Sequence, residues 1–373
     1  MVVVVMEARS ALLVAVTVLM LAAEPGRAAD LGGLRTDLRR TLIPLDEIIG
    51  GGPPPDGIPP IDAPVFVSPA AADGWLRPKE PVLGVRVGSD ARAYPLQVLL
   101  WHEIVNDVVG GRPLVVTYCP LCNAGLVFDR VVDGTRIDFG TSGRLWKSDL
   151  LMYDRQTHSL WSQMEGRAVV GTRVGVRLAR VPANTLSYEE FKEAYPAGRI
   201  LSRETGVTRA YGRNPYEAYD QVDSRPFLFS GAPDPRRPPK ERVAGVTLGD
   251  AARAYPWPVL ARRGVVHDDW EGERLVILFR PGTLSALDRP QVAASRAVGA
   301  TAVYRRQIKG RVLTFEAVPE GFRDVETGSV WNLLGHALSG PLKGRELHPV
   351  PHVDAFWFAW AAFHPKTSIF GDP

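Results

Sequence analysis

Pro81-Val82-Leu83-Gly84-Val85-Arg86-Val87-Gly88-Ser89-Asp90-Ala91-Arg92-Ala93-Tyr94-Pro95 returns later in the chain as Val243-Ala244-Gly245-Val246-Thr247-Leu248-Gly249-Asp250-Ala251-Ala252-Arg253-Ala254-Tyr255-Pro256. In each copy an apolar run meets a Gly-containing turn and then a second short run, the pattern of a β-hairpin. Three further matches follow in the same order. Leu114-Val115-Val116-Thr117-Tyr118 is echoed by Leu275-Val276-Ile277-Leu278-Phe279. Asp154-Arg155-Gln156-Thr157-His158-Ser159-Leu160-Trp161 is echoed by Asp324-Val325-Glu326-Thr327-Gly328-Ser329-Val330-Trp331, and Tyr188-Glu189-Glu190-Phe191 by Trp357-Phe358-Ala359-Trp360. Repetition in one order predicts two copies of one unit.

The expected fold class is α+β and β-rich, with two tandem copies of one mixed β domain and short helices. Helices are expected over 96–102 and 187–194, the second opened by the capping box Ser187-Tyr188-Glu189-Glu190. Asp133-Gly134 is a hairpin turn pair, and the Gly- and Pro-rich stretch 50–60 reads as a turn array. The boundaries follow: signal peptide 1–28, Gly/Pro-rich extension 29–75, first repeat domain 76–230, Pro- and Arg-rich linker 231–242, second and degenerate repeat domain 243–373.

Arg9 precedes an apolar run over 11–23, the length of a signal-peptide core and too short to span a bilayer. Gly26 and Ala28 fit a cleavage site. A secreted or periplasmic protein is expected, with no transmembrane segment after cleavage. The net charge of +3, from 44 basic and 41 acidic side chains, is too small an excess to point to nucleic acid. The glycines at 50–52 run into prolines rather than a helix, so no nucleotide cofactor is expected.

The chain has two cysteines, Cys119 and Cys122, in Tyr118-Cys119-Pro120-Leu121-Cys122-Asn123-Ala124-Gly125. This spacing lets two sulfurs share one metal ion or one disulfide. In the second copy Arg280-Pro281-Gly282-Thr283 stands there, and Arg263 stands opposite His102. The scaffold is repeated without the thiols, which predicts a role for them beyond the fold. In a thioredoxin-type site the pair opens a helix that lowers the thiol pKa. Here Asn123-Ala124-Gly125-Leu126 leads into a strand, and Asn123 suits the positive φ that follows a metal knuckle. Three readings stay open: a copper or zinc centre of thiolate and imidazole ligands, a thiol–disulfide redox pair, and a structural disulfide in an interaction module.

Further metal ligands are sought in His102, then His158, with Met152 as a soft thioether. The polar run 139–154 offers a supporting shell in Arg144, Asp149 and Asp154, or else a solvated hairpin loop. No nucleophilic-serine signature accompanies Ser142 or Ser148. Trp357, Phe358, Trp360 and Phe363 read as core. His336, His348, His352 and His364 match no ligand spacing.

Trp101-His102-Glu103-Ile104-Val105-Asn106-Asp107, the Tyr-Cys-Pro-Leu-Cys run, Phe139-Gly140-Thr141-Ser142-Gly143 and Ser148-Asp149-Leu150-Leu151-Met152-Tyr153-Asp154 carry a resemblance. In combination they resemble a bacterial family of exported proteins, domain of unknown function 3179, over roughly residues 41–370. The resemblance implies export and the β-rich duplicated domain, and no activity.

Overall fold

The computed structural model describes residues 31–371. The signal peptide expected over 1–28 lies outside the described residues. The architecture is β-rich. Among the described residues there are five short α-helices, none longer than seven residues. None is long and apolar enough to cross a membrane.

The hairpins read from the sequence form with the expected strands. Pro81–Val87 pairs antiparallel with Asp90–Pro95, and Arg242–Leu248 with Ala251–Pro256. Each then takes a distant antiparallel strand (Ala183–Ser187, His352–Phe356) and a parallel one (Arg199–Leu201, Ser368–Ile369). Helices Leu96–His102 and Trp257–Arg263 follow the hairpins, and Tyr188–Ala194 and Trp357–Phe363 follow the distant strands. Ser187 and Glu190 close the capping box at Tyr188–Ala194.

The two halves also share side-chain networks. Asp107 binds Arg92 and Tyr94, as Asp268 binds Arg253 and Tyr255. Asp154 accepts from Thr157 and from Trp161 Nε1, and Asp324 does the same with Thr327 and Trp331. Asp107, Asp154 and Asp324 are buried and Asp268 half-buried, and all are satisfied by local donors, the condition under which a buried charge is tolerated.

The halves differ at the thiol turn. Cys119 faces Ala124 across a hairpin closed by 120–123, whereas Arg280 faces Ala300 across the long connection 281–299. The extension is woven into the first half: Ile48–Gly50 pairs with Phe139–Trp146, and Phe66–Val67 with Arg199–Leu201. The linker is packed too, with Lys240 buried and donating to Tyr219 O and Ser224 Oγ. One core cluster contains Val116, Cys122 and Trp161 together with Val243, Phe356 and Trp360, so the halves share a continuous interior. Phe356 N donates to Cys122 O at 2.9 Å, which seats the second half against the thiol turn.

Trp357, Phe358 and Trp360 are buried as core, as expected. Next to them the His364 ring lies tilted against Trp360, centroids 4.0 Å apart, with its buried Nε2 unpartnered. Burial first, then Arg180 and Lys147, pull its pKa from 6.5 to about 4. The unfolded chain therefore binds a proton that the folded one refuses. This group's contribution is complete above pH 6.5 and is lost as the pH falls through about 4. At about 1.4 kcal/mol per pH unit the loss reaches up to about 3 kcal/mol. Urea unfolding of wild type and His364→Gln should show a stability gap that changes by that amount between pH 7 and pH 4. A gap that stays constant would remove His364 from the acid response.

Candidate metal centre

Strand Arg112–Cys119 delivers Cys119 to the end of a sheet, and the turn returns through Asn123 to strand Ala124–Asp129. Asn123 has φ +53, the left-handed conformation expected of it, and its Oδ1 accepts from Tyr118 OH at 3.1 Å. The turn presents both sulfurs inward. Cys119 is 2% and Cys122 0% exposed, and both are free thiols.

A second hairpin closes over them. Phe139–Trp146 and Asp149–Asp154 are joined by Lys147 and Ser148, both at positive φ (55° and 65°), as a two-residue hairpin of the right hand requires. Ser148 O lies 3.5 Å from Cys122 Sγ and 3.9 Å from Cys119 Sγ, accepting from the thiols. Ser148 Oγ donates to Phe227 O, and Lys147 Nζ to Ala362 O. Thr141, Ser142, Ser148, Asp149 and Asp154 are all buried, so this is no solvated loop.

Asp149 completes the site. A carboxylate oxygen of Asp149 and the two sulfurs lie within 4.8 Å of one another. Oδ2 accepts from Met164 N at 2.9 Å, whereas the buried Oδ1 meets no N–H or O–H donor. Burial pushes the Asp149 carboxyl up to about 7. Burial also raises both thiols, Cys122 well above the usual range, and the Asp149 charge adds to each shift. Three groups that ionise to anions thus share a buried space, and the charged neighbours acting on the thiols are carboxylates. Such an arrangement is costly unless a cation is shared among them. Two thiols and one carboxyl are together a candidate ligand group for a metal ion.

The other expected ligands are placed elsewhere. His102 is buried, with Nδ1 2.7 Å from Pro59 O and Nε2 2.6 Å from Tyr211 OH, so both nitrogens are taken and the residue ties the extension to the 211 segment. His158 Nδ1 accepts from Arg35 N, and its carbonyl from Thr36 Oγ1. Met152 is buried in the core strand, facing Thr141 and Trp161 across the sheet. Neither histidine belongs to the ligand group. Of the supporting shell, Asp154 serves the Trp161 turn, and Arg144 lines the space beside Cys119.

That space is a chamber of about 90 Å³ bounded by Glu103, Cys119, Thr141, Gly143 and Arg144 on the polar side. Tyr216, Phe227 and Leu228 roof it, and Gly51, Pro53 and Ile58 of the extension close it. Glu103 escaped the sequence reading. Its signal was the register that sets His102 opposite Arg263, which sets Glu103 opposite Gly264.

A family model described as "protein of unknown function (DUF3179)" matches residues 55–367. No curated protein and no solved structure matches the chain.

Proposed function

We propose a metal-binding function for this chain, which belongs to the DUF3179 family of proteins of unknown function: Cys119, Cys122 and Asp149 hold one divalent ion. The observation that carries this reading is the buried Asp149 carboxylate, whose Oδ1 has no N–H or O–H partner and which stands beside two buried thiols. The carboxylate in place of an imidazole favours zinc over copper(I), because copper(I) selects soft sulfur ligands and a carboxylate is hard. An open fourth position beside a chamber is the arrangement of a working metal rather than a closed structural one.

A redox role is supported less well. A reactive cysteine sits partly exposed in a positive environment that lowers its pKa. Cys119 and Cys122 have the opposite setting on both counts. Export to the periplasm or the exterior belongs to the same proposal, on the strength of Arg9 and the apolar run after it. The second half, which carries no thiols, acts as a buttress through the Phe356–Cys122 bond.

Elemental analysis of protein purified without a metal-affinity tag tests the reading. One zinc per chain is expected in wild type and none in Cys119→Ser. Wild-type protein without stoichiometric metal, which also takes up none on dialysis against zinc, would sink it.

A further inference from the structure

Glu103 breaks two rules of its surroundings. It caps helix Leu96–His102 at φ +57, a conformation that glycine adopts freely and a side chain with a Cβ does not. Its counterpart in the second half is Gly264, at φ +69. The residue is also buried, at 7% exposure, and it lines the chamber beside Cys119. Its backbone donates to Leu99 O and accepts from Tyr118 N. Strain at a position that brings a carboxyl to a cavity wall marks a function that the fold does not need.

We propose that Glu103 is the ligand-binding residue of the centre: a small protic molecule enters the chamber, takes the open position of the metal through a nitrogen or oxygen atom, and donates a hydrogen bond to the Glu103 carboxyl. The inference rests on the metal reading above. The chamber of about 90 Å³ is shared by Glu103 and Cys119, so a molecule in it reaches both the carboxyl and the centre. One water needs about 10–15 Å³ measured in this way, so the chamber has room for roughly six to nine waters, enough for a small molecule of the size of imidazole. An open bowl of about 860 Å³ lies outside, and Leu121, Tyr216, Phe227 and Leu228 line both spaces. Those four side chains form the partition that a ligand crosses. Phe227 is 60% exposed.

Cobalt(II)-loaded protein titrated with imidazole provides the test, because imidazole offers one nitrogen to the metal and an N–H to Glu103. Wild type should bind one cobalt, and its visible bands should shift on saturation with imidazole. Glu103→Gly, which relieves the strained φ and should fold at least as well as wild type, is expected to keep the cobalt and lose imidazole affinity at least tenfold. Glu103→Gln keeps an acceptor and should retain most of that affinity, whereas Glu103→Leu should block the chamber. If all three variants hold cobalt and bind imidazole like wild type, Glu103 is not the ligand-binding residue. If wild type binds no cobalt, the metal reading itself has failed. Loss of cobalt from Glu103→Gly alone would make the carboxyl a metal ligand and overturn the inference.

Discussion

Asp149→Asn should weaken metal binding by well over about 100-fold, beyond what a residue that only supports a ligand costs. With metal removed it should leave the protein more stable than wild type at pH 8. The two effects have one cause. Asparagine keeps the shape and the oxygen that accepts from Met164 N, and puts a neutral NH2 in place of Oδ1. In wild type, burial lifts the Asp149 carboxyl from 3.8 to about 7. A carboxyl raised on folding contributes fully below its unfolded pKa, and that contribution is lost as the pH rises through its folded pKa. At about 1.4 kcal/mol per pH unit, ionising Asp149 in the metal-free protein by pH 8 costs up to about 4 kcal/mol. Asparagine escapes this cost. Urea unfolding in chelator should show the variant ahead of wild type at pH 8, with the gap closing toward pH 4. A less stable variant at pH 8, or one that holds zinc as tightly as wild type, would mean that Asp149 is not a ligand. The prediction also separates a binding site from a structural one, since a residue placed for stability does not improve stability when it is neutralised.

What the sequence disclosed, and what it hid, divides along sequence distance. Local signals worked: helix Leu96–His102 formed over the expected residues, Ser187 and Glu190 capped the next, and Asn123 and Asp133-Gly134 took positive φ. Each depends on neighbours within a turn. The ligand group does not. Asp149 reaches the sulfurs only because a hairpin of a different sheet folds its Lys147–Ser148 turn over them, and no short-range pattern encodes that docking. His102 was attractive for its nearness in sequence, yet its helix end points at Pro59 and Tyr211. Asp154 could have been sorted from the sequence alone. It recurs as Asp324 in the half without thiols, with Thr, Ser and Trp at the same offsets, so its work belongs to the fold. Glu103 obeys the converse rule, because it is a carboxylate where the other half has glycine.

Gly143→Ala should destabilise the protein by more than about 4 kcal/mol, a loss that single substitutions reach only by overpacking, burial of unpaired groups or similar disruption. Gly143 lies in the bulge between Thr141 and Arg144, at φ +67, where the strand bends past the extension. A methyl group there would overlap the Pro53 carbonyl oxygen and stand 3.0 Å from its carbon and 3.2 Å from the Pro54 carbonyl carbon. These are backbone atoms, which no rotamer change can move aside. Gly51 N also donates to Gly143 O at 2.9 Å, so relief by retreat would pull apart the join between extension and hairpin. Backbone conformation contributes only part of the expected loss. Gly134 has φ +73, and a methyl group on it would meet nothing within 4 Å, so Gly134→Ala isolates that part, at about 1–2 kcal/mol. The difference between the two variants in urea unfolding measures the clash. Gly51, Pro53 and Gly143 are walls of the chamber, so the same substitution should open it to solvent and weaken imidazole binding in cobalt-loaded protein that remains folded. Equal losses for the two alanine variants would show that the extension yields at little cost, and the chamber would then have no fixed wall on that side.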